Sequence, residues 1–252
     1  AAKNVTIPTG VSNMPVIGAA ANCNTLTLNG TLTIGNATLV VAGNATITGN
    51  ITMTNSSGIL TFNNDVAWNS GSTATIPVNS SIRAYGNWDF NAGANVQFGF
   101  GTVTFLGTVS KELRSYSAGC SFNNISISKT GGANVSLSVL STQPLTVNSN
   151  FRVESGSLFK SYSNNQLIIN TNILVYGTMQ CEAGTVKLDG SAQSLMPNVN
   201  DYFNHLVLSQ TGTASMNTTY TSILNVKGDL HIDSGVFDAG SCTINVGGHW
   251  DN

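Results

Sequence analysis

Charge is what this sequence has least of. Of its 252 residues only 8% are Asp, Glu, Lys or Arg, against roughly 25% in an ordinary globular chain. Nine Lys and Arg stand against eleven Asp and Glu, for a net charge of −2. No basic surface can be assembled to neutralise phosphates or anionic lipid, so nucleic acid is excluded as a partner class. Disorder is excluded as well, because it needs high charge and low hydrophobicity, and 41% of the residues are hydrophobic. Long apolar runs are missing: no stretch approaches the roughly 18 residues of a membrane span. No charged segment followed by an apolar core opens the chain as a secretory leader would. The chain therefore reads as soluble, without membrane insertion, any targeting signal lying outside it. Helical periodicity is absent over any useful length, and the Glu and Lys that an exposed helix face carries are absent with it.

What remains is Asn, Thr, Ser and Gly interleaved with Val, Ile and Leu, which is strand-and-turn chemistry. One pattern recurs: two apolar residues flanking a polar one, a three-residue break, and a second such pair. Leu26-Thr-Leu28, Asn29-Gly30-Thr31 and Leu32-Thr-Ile34 set it out. It returns at Leu39/Val41 with Ala45/Ile47, Leu60/Phe62 with Val66/Trp68, and Ile82/Ala84 with Trp88/Phe90. Further copies are Leu145/Val147 with Phe151/Val153, Leu167/Ile169 with Ile173/Val175, and Leu224/Val226 with Leu230/Ile232. Period-two alternation puts each apolar pair on one strand face. The breaks carry Gly, Asn or Asp, as in Ala42-Gly43-Asn44 and Tyr85-Gly86-Asn87, which predicts corners with positive φ. Looser copies begin at Val103, Ile125, Val186 and Leu206. The starts fall about 20 residues apart, one turn of a β-solenoid.

The predicted class is all-β: a single-stranded parallel β-solenoid, right-handed by the general chirality of crossovers. Residues 1–25 read as an N-terminal cap or arm. Residues 26–252 read as about 11–12 coils, a rod on the order of 55 Å at about 4.8 Å per rung. Gly101–Gly107 matches Gly184–Gly190, and Ser121–Gly131 matches Tyr202–Gly212. That predicts a four-coil unit present twice, 103–185 and 186–252. A single inward column is expected to hold Leu32, Val66, Trp88, Phe151, Ile173 and Leu230. The alternative is an antiparallel β-sandwich, which does not predict a corner motif in phase with a 20-residue coil.

The stretches Asn4–Ile17 and Ala21–Leu28 resemble the opening of large secreted surface proteins of Bacteroidota. Gly101–Gly107, Phe122–Ile127 and Val246-Gly-Gly-His-Trp250 are similar to the repeats that follow it there. The resemblance covers nearly the whole chain and is carried by repeat motifs. It implies a location outside the cell or on its surface, in long adhesin-like or stalk-like proteins, many exported by a type IX system. It also implies that the chain is either a piece of a longer protein or a subunit whose open ends have partners. Val246 and Trp250 are the expected assembly edge, for end-to-end self-association.

Candidate chemistry is thin. Asp229, His231 and Asp233 alternate with apolar Leu230 and Ile232, so they share a face and form the one candidate cation site. No pair of carboxylates at the spacing of acid–base catalysis can be assembled, and no Gly-x-Ser-x-Gly elbow is present. His205 and His249 lack spaced partners for zinc. Trp68, Trp88 and Trp250 read as core rather than as a carbohydrate platform, while Tyr85, Tyr116 and Tyr162 read as exposed. Thr-x-Thr pairs at Thr31/Thr33, Thr46/Thr48, Thr52/Thr54 and Thr102/Thr104 raise ice binding, but a flat array needs them on one side of many coils. Cys120, Cys181 and Cys242 fall three coils apart, about 14 Å, beyond the roughly 7 Å that a bridge spans. No intrachain disulfide is expected, and no cofactor. The expected function is a structural extracellular rod of an adhesin, stalk or filament, not an enzyme. The alternative is binding of surface glycans through loops at Ser191–Asn200 and Ala214–Ser222; a polysaccharide hydrolase or lyase ranks lower.

Overall fold

In a computed structural model, residues 2–11, 14–217 and 223–252 are described. The chain winds as a parallel β-solenoid of about 11 turns with roughly 21 residues per turn, with no helix among the described residues. Every described strand pairing is parallel, which disposes of the antiparallel sandwich. No described helix is long and apolar enough to cross a membrane.

Each turn contributes one short strand to each of three faces. The first face runs from Val5–Ile7 through Leu26–Leu28, Ala45–Ile47, Val66–Trp68 and Trp88–Phe90 to Thr178–Cys181. Bridges at Tyr202 and Phe203 carry it on to Ile223–Val226 and Thr243–Val246. The second face holds Val16–Ile17, Thr31–Ile34, Asn50–Met53 and Thr73–Thr75, then Ser121–Phe122, Leu145–Val147, Gln166–Ile169 and Thr185–Leu188. The third runs from Ala21–Cys23 through Ser81–Ala84 and Asn124–Lys129 to Gln193–Met196. His205–Met216 and Leu230–Asp238 pass from the second face to the third without a break, so the later strands of the second face, from Ser121–Phe122 on, join the third as one 16-stranded sheet, while its first four strands form a sheet of their own.

Three expectations need correction. Residues 5–23 are the first coil, not a cap or arm: Val5, Val16 and Ala21 pair with Leu26, Thr33 and Leu39. The single column is really several. Leu32 stacks with Ile51 on the second face, Val66 and Trp88 stack on the first, Phe151 and Ile173 on the third, and Leu230 with Leu206 back on the second. All six residues are buried. The nine-residue motif occurs at all three corners, and a pattern of apolar pairs cannot tell one corner from another. For the same reason the two long copies are out of phase. Thr102–Gly107 lies on the third face, its match Thr185–Leu188 on the second, so the copies are displaced by about a third of a turn less than four coils.

The corner glycines also work differently from expectation. Gly43 and Gly86 do not have positive φ. Each is glycine because the coil below passes too close: a Cβ on Gly43 would stand 2.9 Å from the Asn24 carbonyl oxygen, and one on Gly86 would collide with the Asn64–Asp65 peptide.

The interior around the fourth to sixth coils is filled with aromatics. The Trp88 ring lies 5.7 Å from Trp68, 5.7 Å from Phe98, 5.8 Å from Phe105 and 5.9 Å from Phe62. Trp68 and Trp88 are both 0% exposed, so the core assignment holds for them. Neither indole N–H has a partner, a cost accepted for the area these rings bury. The four cysteines are free thiols.

Replacing Trp88 with Ala empties the centre of this cluster and should cost about 3–5 kcal/mol, read as a lowered midpoint in denaturant unfolding. An unchanged midpoint would show that the ring is not packed as described.

Candidate functional site

Ionisable side chains concentrate on the first face. Asp65, Asp89, Glu112, Lys111 and Arg114 come from three successive coils, through the register Ala67 to Asp89 and Asp89 to Arg114. Arg114 donates to Glu112 at 2.9 Å and to Asp89 at 3.3 Å. Lys111 reaches back two coils to Asp65 at 3.9 Å. The Asp65 carboxylate also accepts the Asn87 N–H, and the Asn87 side chain accepts the Glu112 N–H. Burial raises the Asp89 carboxyl above its ordinary value against the pull of Arg114, and Asp65 pushes the same way. Sequence spacing missed this convergence because the three acids lie 24 and 23 residues apart, and only the true coil boundaries bring them together. Arg114 neutralises two of the acids, so the cluster acts as a clamp between coils.

A second group on the same face comprises Lys160, Tyr162, Glu182, Tyr202 and Lys227. Tyr202 Oη donates to Glu182, and Lys227 Nζ sits 3.3 Å above the Tyr202 ring centroid and 3.4 Å from Glu182. The Tyr202 bond, followed by the Lys227 charge, lowers the Glu182 carboxyl below its usual range. Tyr162 and Tyr85 are exposed, as expected, while Tyr116 is half-buried.

The candidate cation site is not brought together. The Asp229 carboxylate accepts the His249 N–H at 2.8 Å and lies 3.2 Å from His205 Nδ1. His231 turns instead to Asp233, with Nε2 at 2.6 Å. Among the described residues no three His, Cys, Asp or Glu side chains converge to hold a metal. A register shift after Leu208, where the paired strand bulges, carries Asp233 out of line with Asp229. At the expected assembly edge Val246 is half-buried and Trp250 is 52% exposed, so the core reading fails for Trp250, which pairs with Leu230 on the last described strand.

The expected recognition loop at Ser191–Asn200 is largely part of the wall. Gln193–Met196 is a strand of the third face, with Met196 and Pro197 buried. Its return is pinned by Asp201, which accepts N–H groups from Met179 (2.7 Å) and Asn198. In the other loop, Ala214 to Met216 belongs to a strand, and residues 218–222 lie outside the described residues. The Thr-x-Thr pairs fall on all three faces: Thr31/Thr33 and Thr52 on the second, Thr46 on the first, Thr102/Thr104 on the third.

Two ionisable groups sit inside without a counter-ion. Lys129 donates from Nζ to the Leu106 and Val109 carbonyls at 2.6 and 3.0 Å, and burial pushes its ammonium down to about 8. Burial pushes the Asp201 carboxyl up to about 7, overriding its two N–H donors.

Comparison with family models, with curated proteins and with solved structures finds no match to this chain.

The Asp201 value sets a pH dependence. Its carboxyl holds its proton in the folded chain up to about 7 but loses it near 3.9 when unfolded. Stability from this group is full below the unfolded value and is lost as pH rises towards 7. Asp201→Asn should flatten the stability profile between about pH 4 and 7, measured by urea unfolding across that range. A profile unchanged by the substitution would place the titration elsewhere.

Proposed function

We propose that this chain is a non-catalytic structural rod, a segment of an extracellular cell-surface adhesin, stalk or filament. The observation that carries this reading is what the outward polar side chains do: they bind the next coil. Asn124, Asn150 and Asn172 form a ladder of side-chain amides at 3.1 and 2.9 Å. Asn69 with Asn91, Asn148 with Asn170, and Asn225 with Asn245 repeat the contact elsewhere. The ion pairs Lys111–Asp65 and Lys227–Glu182 each span more than one coil. Side chains used in this way stiffen a rod along its axis. The extracellular location rests on the resemblance of Asn4–Ile17 and of the repeats to secreted surface proteins.

Removal of residues 134–177 from the full-length protein in its own cells tests the reading. The deletion takes out two whole turns, from Asn134 to the equivalent Thr178 on the first face, and both partners of the Phe151–Phe159 contact. The expected product is about 10 Å shorter, still labelled by antibody on intact cells, and still able to serve the parent protein's attachment role. A chain found only inside the cell, or an enzymatic activity lost with these turns while display is kept, would overturn it.

A further inference from the structure

On the second face, one set of side chains is not used in coil-to-coil bonding. Between the Thr73–Thr75 strand and the Leu145–Val147 strand the surface sinks into two adjoining depressions, of about 440 and 330 Å³, which share Gln97 and Asn148. The dip has a simple cause. The intervening rung is Ala118-Gly119-Cys120-Ser121, whose side chains are short, and its strand, Ser121–Phe122, is only two residues long. Longer side chains rise on both sides of it: Thr75, Asn95 and Gln97 on one bank, Thr146 and Asn148 on the other. Gln97 bridges to Ser121 and Ser121 pairs with Thr146, so Thr75 and Thr146 are three rungs apart, about 14 Å.

Several side chains on these banks are not used in bonding between coils. Thr73 donates to Asn50 at 2.7 Å, and Asn148 accepts from Asn170 and donates to Ser121. The side chains of Thr75, Asn95, Gln97 and Thr146 bond to no other described group; Gly119 stands beside Asn95, and the Ser121 hydroxyl opposite Gln97 is taken by Asn148. No charged residue lines either depression. At the lip, one residue beyond Gly99, Phe100 is 71% exposed, and Val78 on the preceding coil is 59% exposed. The Phe100 N–H donates to the Ile76 carbonyl at 2.9 Å, which holds the backbone of this residue beside Gly99 at the edge of the depression.

From this we infer that the second face carries a binding groove for a neutral oligosaccharide, lying across the coils from Thr75 to Thr146. An amide both donates and accepts, as a sugar hydroxyl does, and Asn95 and Gln97 offer two such pairs with both ends free. The Phe100 ring supplies an apolar face for the C–H side of a pyranose at the rim, the mix of one aromatic and a few convergent polar groups that orients small ligands. Acidic glycans are disfavoured, since a carboxylate placed here would be desolvated with no cation to meet it. This groove goes beyond the rod reading and does not depend on it.

Titration calorimetry of the full chain against neutral glucan, mannan, xylan and chitin oligosaccharides, beside uronate and sialylated ones, tests the inference. Binding is expected within the neutral set. The double substitution Asn95→Ala with Gln97→Ala, and separately Phe100→Ala, should each weaken it roughly tenfold or more. Thermal melts should stay unchanged, since these side chains hold nothing in place. Tyr162→Ala, on the first face, should leave binding intact. Absence of binding to every neutral glycan, binding confined to acidic ones, or loss on Tyr162→Ala with retention in the Asn95/Gln97 variant would each overturn it.

Discussion

Everything in this molecule follows from the partner each peptide group has: the same position in the next coil, about 21 residues away. A parallel ladder spaces its strands by about 4.8 Å whatever the side chains are. Each position must therefore tolerate a copy of itself, or something of similar size, directly above and below. Inward, that selects Val, Ile, Leu and Phe in stacked pairs such as Phe105 on Ile127 and Val41 on Phe62. Outward, it penalises charge, because like charges stacked at one rung repel, and it favours Asn, whose amide can donate to one neighbour and accept from the other. The shortage of charge with which the sequence opens is thus a consequence of stacking. Where charges do occur on the first face, basic side chains from a neighbouring coil meet the acids, Asp89 beside Arg114 being the clearest case.

The same constraint sets the corners. A chain that turns three times per coil brings successive corners into contact, and at Gly43 and Gly86 the neighbouring backbone occupies the space of a side chain. Glycine there answers a steric demand from another coil, not a torsional demand of its own residue. Sequence reading assigns these glycines to the right places for the wrong physical reason. The distinction has a consequence: an Ala at Gly86 would strain two coils at once, whereas a pure φ requirement would strain only one.

Fold class was legible because period-two alternation and a repeat near 20 residues are both local and both strong. Phase was not. Leu39/Ala45 turns from the third face to the first, Leu145/Phe151 from the second to the third, and Leu224/Leu230 from the first to the second, yet all three read alike. Without phase the three-coil cluster of Asp65, Asp89 and Glu112 was invisible, since it needs unequal coil lengths to be counted correctly. Asp229, His231 and Asp233 were grouped on one face by alternation, but Asp229 meets His205 of the preceding coil and the register shift falls at Asp233, neither of which the alternation announces. Burial of Asp201 was equally hidden, because an Asp after Asn198-Val-Asn reads as a surface turn.

A ladder also explains why one interrupted rung matters. As long as each coil presents an amide or hydroxyl to the next, polar groups are satisfied within the rod and the surface has little left to offer a ligand. Asn148 illustrates the closed case, bonded to Ser121 on one side and Asn170 on the other. Shortening one coil's side chains to Ala118-Gly119 breaks that chain of bonds at a single level. The backbone ladder is unaffected, since Gln97, Ser121 and Thr146 still pair in sequence. The interruption therefore leaves the rod intact, and next to the exposed Phe100 it leaves Asn95 and Gln97 with hydrogen-bonding capacity that the rod does not use.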